Sequence, residues 1–169
     1  MIFDAMTWQE IAEVRRDILV VCPLGSTEQH GPHLPVGTDA LIISAIACAL
    51  EERTEILLAP TLQLGHSPHH LSFGGTLSLD HSQYSETLIQ LADCFAGMGF
   101  KKILFLNGHG GNQLPVNTAL QQLKLSRPNL LAMGCEYWKV AAKAISKLRE
   151  SEFGGMGHGG ELETSLCLY

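Results

Sequence analysis

Short runs of apolar residues alternate along this chain with longer segments whose apolar positions recur every three or four residues. The runs Ile18-Leu19-Val20-Val21-Cys22, Ile56-Leu57-Leu58-Ala59 and Ile103-Leu104-Phe105-Leu106, and a fourth near Leu130 to Met133, have the length of buried strands. Pro60 stops the second, because a proline cannot donate to a sheet ladder. Ile42, Ala45, Ile46, Ala49 and Leu50 mark the inward stripe of a helix that begins near Asp39, and Tyr84, Leu88, Leu91, Ala92 and Phe95 mark another. Helices are also predicted over roughly 114–125 and 138–150, and a short one runs from the capping box Thr7-Trp8-Gln9-Glu10 to about Arg16. Strands alternating with amphipathic helices pair in parallel through right-handed crossovers. The expected fold is therefore α/β, a three-layer sandwich around a mostly parallel central sheet. No internal repeat or long linker interrupts the 169 residues, and a single domain over 1–169 is expected.

Composition narrows the partners more than the fold. With 46% hydrophobic and 17% charged residues the chain can bury a core and is not a disordered segment. A net charge of −6 without a lysine and arginine cluster excludes a protein that lives on phosphate backbones, so no nucleic-acid partner is expected. No apolar run is long enough to span a bilayer and the first residues lack the pattern of a signal peptide, so no membrane partner is expected either. The five cysteines lie far apart without a Cys-x-x-Cys pair, which fits a reducing, cytoplasmic setting.

Ligands in such sheets bind beyond the carboxyl ends of the strands, and three segments there carry chemistry. The first runs from Pro23 to Asp39 and includes Gly-Ser-Thr-Glu-Gln-His-Gly-Pro-His-Leu-Pro. In extended chain Glu28 and His30 point the same way, and Asp39 returns to that place as the next helix begins. Carboxylate, imidazole and carboxylate suit Zn²⁺, Mn²⁺ or Fe²⁺, although Asp39 before an apolar run is also an ordinary helix cap. The second, Asn107-Gly108-His109-Gly110-Gly111-Asn112, puts His109 at the sheet edge in a glycine-rich turn. Such a turn can also cradle phosphate, but the glycine spacing is wrong for a dinucleotide fold and no P-loop lysine follows. The third, from Gly157 to Ser165, opens a helix at which His158 and Glu161 share a face while Glu161 and Glu163 diverge. Both acids would also sit there simply because the helix dipole favours negative charge.

Taken in order, these three segments resemble the creatininase family of amidohydrolases, whose fold and chemistry the resemblance therefore implies across essentially the whole chain. A fourth stretch, Gly65 to Leu79, is similar to the family's Gly-x-Ser-x-Glu-His-x-x-Phe-Pro-Gly-Thr-x-Ser-Leu, with His69 in place of Glu and Gly74 in place of Pro. The resemblance implies two divalent metal ions, Zn²⁺ first with Mn²⁺ or Fe²⁺ as alternatives. Glu28 and His109 would hold one, His30 the other, and Asp39 would bridge them. The creatinine-hydrolysing members take a further ligand from a Glu two residues past the strand-end His, where this chain has Gly111. Glu161 is expected to fill that place, with His158 moving a proton and Glu163 supporting the site from behind.

The implied reaction is hydrolysis of a non-peptide C–N bond in a small cyclic amide or formamide. Two cations sharing a water lower its pKa, so that hydroxide can attack the carbonyl at neutral pH. A non-catalytic metal- or ligand-binding module of the same fold is the alternative, and a dinucleotide binder a lesser one. Family members continue beyond the point where this chain ends, so apolar surface is expected to be exposed near Leu162, Leu166 and Tyr169. A homo-oligomer that covers it follows from that expectation.

Overall fold

The computed structural model describes residues 1–152 and 155–169. Four parallel strands, β1 Leu19–Leu24, β2 Ile56–Leu58, β3 Lys102–Asn107 and β4 Leu131–Glu136, form one sheet in the order β2-β1-β3-β4. Leu19 of β1 faces Ile56 on one side and Lys102 on the other, and β3 continues the register to β4 from Lys102 opposite Leu131. The chain leaves β1 towards one edge, to β2, and then returns to the other side for β3. The gap beyond the ends of β1 and β3 is thus the topological switch point, where open α/β sheets take ligands.

Helices cover both faces. On one side α1 (Trp8–Glu13), α3 (His81–Gly97) and α4 (Gln113–Ser126) bury Ile11, Tyr84, Leu88, Phe95, Val116 and Leu123 against Val20, Cys22, Ile103 and Phe105. On the other, α2 (Thr38–Glu51) and the closing α7 (Glu161–Leu168) set Ile43, Ala47, Leu162 and Leu166 against Val21, Leu58 and Leu106. These alternating in-and-out positions make the strands apolar on both faces, as buried parallel strands must be. The three-layer α/β expectation is met.

Details differ from the expected pattern for identifiable reasons. Helix α1 stops at Glu13 instead of near Arg16, because the Arg16 guanidinium folds back to donate to the Ile11 and Ala12 carbonyls that end the helix. The predicted helix over 138–150 is two pieces, α5 (Tyr137–Val140) and α6 (Ala142–Leu148). The inward stripe of α2 is centred on Ile43 and Ala47, while Ala45 is exposed. That rotation puts Asp39, one turn before Ile43, on the buried face. No helix among the described residues is long and apolar enough to cross a membrane.

Candidate metal centre

The loop after β1 runs alongside the loop after β3 because Gly108 N–H donates to the Leu24 carbonyl at 2.7 Å. Asn112 then ties three loops together: its amide donates to the Gly25 carbonyl at 3.0 Å and its oxygen accepts from the His66 N–H at 2.9 Å. Asn107 clamps the His109 backbone from both sides, accepting from its N–H and donating to its carbonyl. Here Glu28, His30, Asp39 and His109 converge, none more than 4% exposed. Asp39 sits inside the first turn of α2, which has no side-chain cap, so its carboxylate is turned into this cluster and does not cap the helix.

Asp39 lies between two imidazoles. Its Oδ1 is 3.2 Å from His30 Nε2 and its Oδ2 is 2.9 Å from His109 Nδ1. Glu28 Oε1 stands 3.4 Å from the same His109 nitrogen. The far nitrogen of each histidine identifies its tautomer. His30 Nδ1 is 3.0 Å from the Glu28 carbonyl, and His109 Nε2 is 3.2 Å from the His66 carbonyl and 3.1 Å from Ser67 Oγ. A carbonyl only accepts, so those nitrogens carry the hydrogens, and in the neutral ring the lone pair of each histidine faces carboxylate oxygens. This is how metal-ligating histidines are held, oriented from behind by a carbonyl or hydroxyl. Asp39 Oδ2 is buried with no hydrogen-bond partner, a state a carboxylate oxygen rarely tolerates unless a cation is its partner. The donor set fits divalent metal.

Charge follows the same geometry. Burial would lower the pKa of His30, but Asp39, the Glu28 carbonyl and Glu163 outweigh it and lift it to about 9. Burial likewise opposes charge on His109, yet Asp39 and Glu28 move its pKa upward. Burial would raise Asp39, and the adjoining His109 and His30 outweigh it and hold it below its usual range. The carboxylates thus demand positive charge at those imidazole lone pairs, which a proton or a cation can satisfy.

The closing segment is divided between two jobs. Glu161 does not reach the cluster: its carboxylate accepts from the backbone N–H groups of Glu150 at 2.8 Å and Ser151 at 2.6 Å. The expected ligand therefore fastens the end of the preceding segment instead. Glu163 points the other way, with Oε2 3.7 Å from His30 Nε2 and held by the Gly159 N–H at 2.6 Å. Burial, reinforced by Asp39, raises its pKa. Glu163, not Glu161, faces the cluster, because α7 begins at Glu161 and the face towards α2 and His30 comes two residues later. Gly111 adds a constraint of its own, since a Cβ there would collide with the His66 carbonyl and the His109 ring.

Sequence reasoning left three neighbours without roles. His70 Nδ1 is 3.0 Å from Glu28 Oε2, Ser67 supports His109, and buried Asn112 aligns the loops. All three lie in segments singled out for other residues, so the signal was their position in those motifs. His158 completes the ring, its Nδ1 3.2 Å from Glu28 Oε1 and its pKa lowered by burial and by His30. The cluster opens into a cavity of about 670 Å³ walled by Tyr137, Trp138, Ile145, Met156 and Leu162, with Arg149 also on its lining.

Comparison with known proteins places the fold. The mycofactocin precursor peptide peptidase of Mycobacterium ulcerans (strain Agy99) is 35% identical over 163 residues, covering 89% of this chain and 57% of that protein. Creatinine amidohydrolase of Pseudomonas putida is 30% identical over 179 residues, covering 96% of this chain and 69% of the relative. A solved creatininase in a manganese form superposes with a TM-score of 0.85 at 29% identity, over 99% of this chain and 71% of that one. The chain thus spans little more than half the length of the first of these relatives. The family model for creatininase, described as creatinine amidohydrolase, matches residues 4–169, and the chain belongs to the creatininase family.

Proposed function

We propose that this chain hydrolyses a C–N bond of a small cyclic amide or formamide, using two divalent cations held by Glu28, Asp39 and His109 on one side and by His30, Asp39 and Glu163 on the other. The observation that carries this is Asp39, whose two oxygens each face a different imidazole lone pair while one of them has no hydrogen-bond partner. Zn²⁺ suits this mixed imidazole and carboxylate set, with Mn²⁺ or Fe²⁺ as alternatives. Bound cations of this kind supply Lewis acidity and a water of lowered pKa. The chain's own residues do the rest. His70 and His158 hold Glu28 in place, Asn107 and Asn112 hold the His109 loop, and the apolar cavity wall limits access of water. His158 faces the same cavity, where its ring can bond the substrate or hand a proton to the departing nitrogen.

Chelation should abolish turnover and added Zn²⁺ or Mn²⁺ should restore it, across a panel of a cyclic amide, a formamide and, because one relative is a peptide peptidase, a short peptide. Metal bound in full without turnover of any arm would favour the non-catalytic binding module. Turnover of the peptide alone would overturn the small-amide substrate class. Five unpaired cysteines support a cytoplasmic setting. The exposed apolar residues Leu131 and Met133 on edge strand β4, with Leu168 and Tyr169, support a homo-oligomer, which light scattering at several concentrations would test.

A further inference from the structure

Gln29 lies between Glu28 and His30 in the chain, yet its side chain turns to a different partner. Its carboxamide spans two groups: one end is 3.0 Å from the backbone nitrogen of Gly31 and the other is 3.0 Å from His158 Nε2. A backbone N–H can only donate, so the atom it meets is the amide oxygen. The atom that faces His158 is then the –NH₂, which also can only donate. His158 Nε2 must accept, through its lone pair. A neutral imidazole carries one hydrogen, so that hydrogen is on Nδ1, the atom 3.2 Å from Glu28 Oε1.

The turn that makes this possible is local. Gly31 has φ of 70°, a conformation that glycine adopts freely, so the chain turns away directly after the N–H that meets the side chain two residues earlier. The same reasoning separates the histidines of the centre into two kinds. His30 and His109 present lone pairs to carboxylates, whereas His158 presents an N–H. His158 belongs to two groups close enough together to hold a cation, one with Glu28 and His70 and one with His30 and Glu163, but a hydrogen on Nδ1 and a lone pair taken by Gln29 leave His158 no free nitrogen for either.

We propose that Gln29 is a positioning residue that holds His158 as a neutral Nδ1–H tautomer, so that His158 serves the reaction as a hydrogen-bond donor and not as a proton carrier. This rests on the hydrolytic reading of the centre and narrows the role of one residue in it. A carrier needs a lone pair towards the reacting groups to take up a proton before giving one away. In this tautomer the lone pair faces Gln29, outside the cluster. The fixed N–H is suited instead to a substrate oxygen as negative charge develops on it.

The test is ¹⁵N NMR of the histidine rings in the Zn²⁺-loaded protein, above the ordinary histidine titration range, with His158 identified by the signals lost in His158→Asn. The wild-type ring should show Nδ1 protonated and Nε2 bare. Gln29→Glu keeps the bond from Gly31 but offers His158 an acceptor, so Nε2 should become protonated. A wild-type Nε2 that carries the hydrogen, or a pattern that Gln29→Glu leaves unchanged, would overturn the proposal.

A kinetic arm uses whichever of N-formylglycine and hydantoin is turned over. His158→Leu should lose roughly 10²–10³-fold in kcat, the loss typical of one fixed donor, whereas His158→Asn, whose amide N–H lies close to the position of Nδ1–H, should lose clearly less. Equal, severe losses in both variants would restore the proton carrier. If neither compound is turned over, the hydrolase reading is what suffers, and the ring spectra still decide the tautomer.

Discussion

Glu28, His30, Asp39 and His109 are at most 4% exposed, and a carbonyl, a hydroxyl or another side chain holds His30, His109 and Glu28 from behind. Across the cavity, α7 contains no fully buried residue, and the glycine-rich turn before it carries His158 with its side chain 34% exposed. One side of the centre is built into the sheet edge and the other is laid over it. The difference is one of local stability: groups with few buried contacts open at lower free energy than those in the core, and ligand-facing segments are commonly drawn from that end. In the proposed centre the sheet side supplies most of the candidate donors already oriented, while the closing side contributes Glu163 and His158.

The sharpest way to break this contrast is on the rigid side. Asp39→Asn should keep the helix start and the fold but lower Zn²⁺ affinity by at least about 100-fold, since even the loss of an outer hydrogen-bonding partner costs roughly 10–100-fold. Elemental analysis after dialysis measures it, and two metals retained at normal affinity would remove Asp39 from its bridging place. The closing side should respond in a graded way. Glu163→Gln is expected to release one of two metals, whereas Glu161→Gln should keep both and lower only the thermal midpoint. In a metal-bound crystal structure a Glu163 oxygen should lie about 2.0–2.2 Å from the ion. Metal loss in the Glu161 variant alone would return Glu161 to the ligand set.

Asn112→Ala tests the scaffold beneath the rigid side. It leaves the His66 N–H and the Gly25 carbonyl without their partner, a loss of about 1–3 kcal/mol for each buried group that stays unpaired. Chemical denaturation should record that loss, with weaker metal binding beside it. Unchanged stability would mean that water replaces the side chain fully. Hydrogen exchange should then separate the two regions directly: amides over 155–169 exchange faster than those over 19–24 and 102–112, and added metal slows the first group more. Equal protection without metal would erase the contrast. The smallest effect is expected at Leu168, which is 84% exposed. Leu168→Gln should shift stability by less than about 0.5 kcal/mol. If copies associate through that face, light scattering should nevertheless show a lower apparent mass.

The strands were legible because four short apolar runs bounded by polar or proline positions have few other uses, and their alternation with helical stripes implies parallel pairing. The break at Ala141 was not, since Tyr137 to Glu150 keeps a helical pattern through it. Within the centre, the type and order of the donors could be read from Glu28, His30, Asp39 and His109. Which of Glu161 and Glu163 faces the cluster could not. Both sit at a helix start, and spacing says that they diverge without saying which way the helix is turned.

What the sequence alone determined is local and chemical: periodicity sets which segments are strands or helices, and residue type sets which side chains can hold a cation. What the tertiary structure decided is relative placement. The rotation of α2 that buries Asp39, the packing of α7 that turns Glu163 inward and Glu161 back to the chain, and the reach of Gln29 across to His158 all join residues distant in sequence. Such contacts depend on how whole elements pack, which is a property of the assembled core and not of any one segment's pattern.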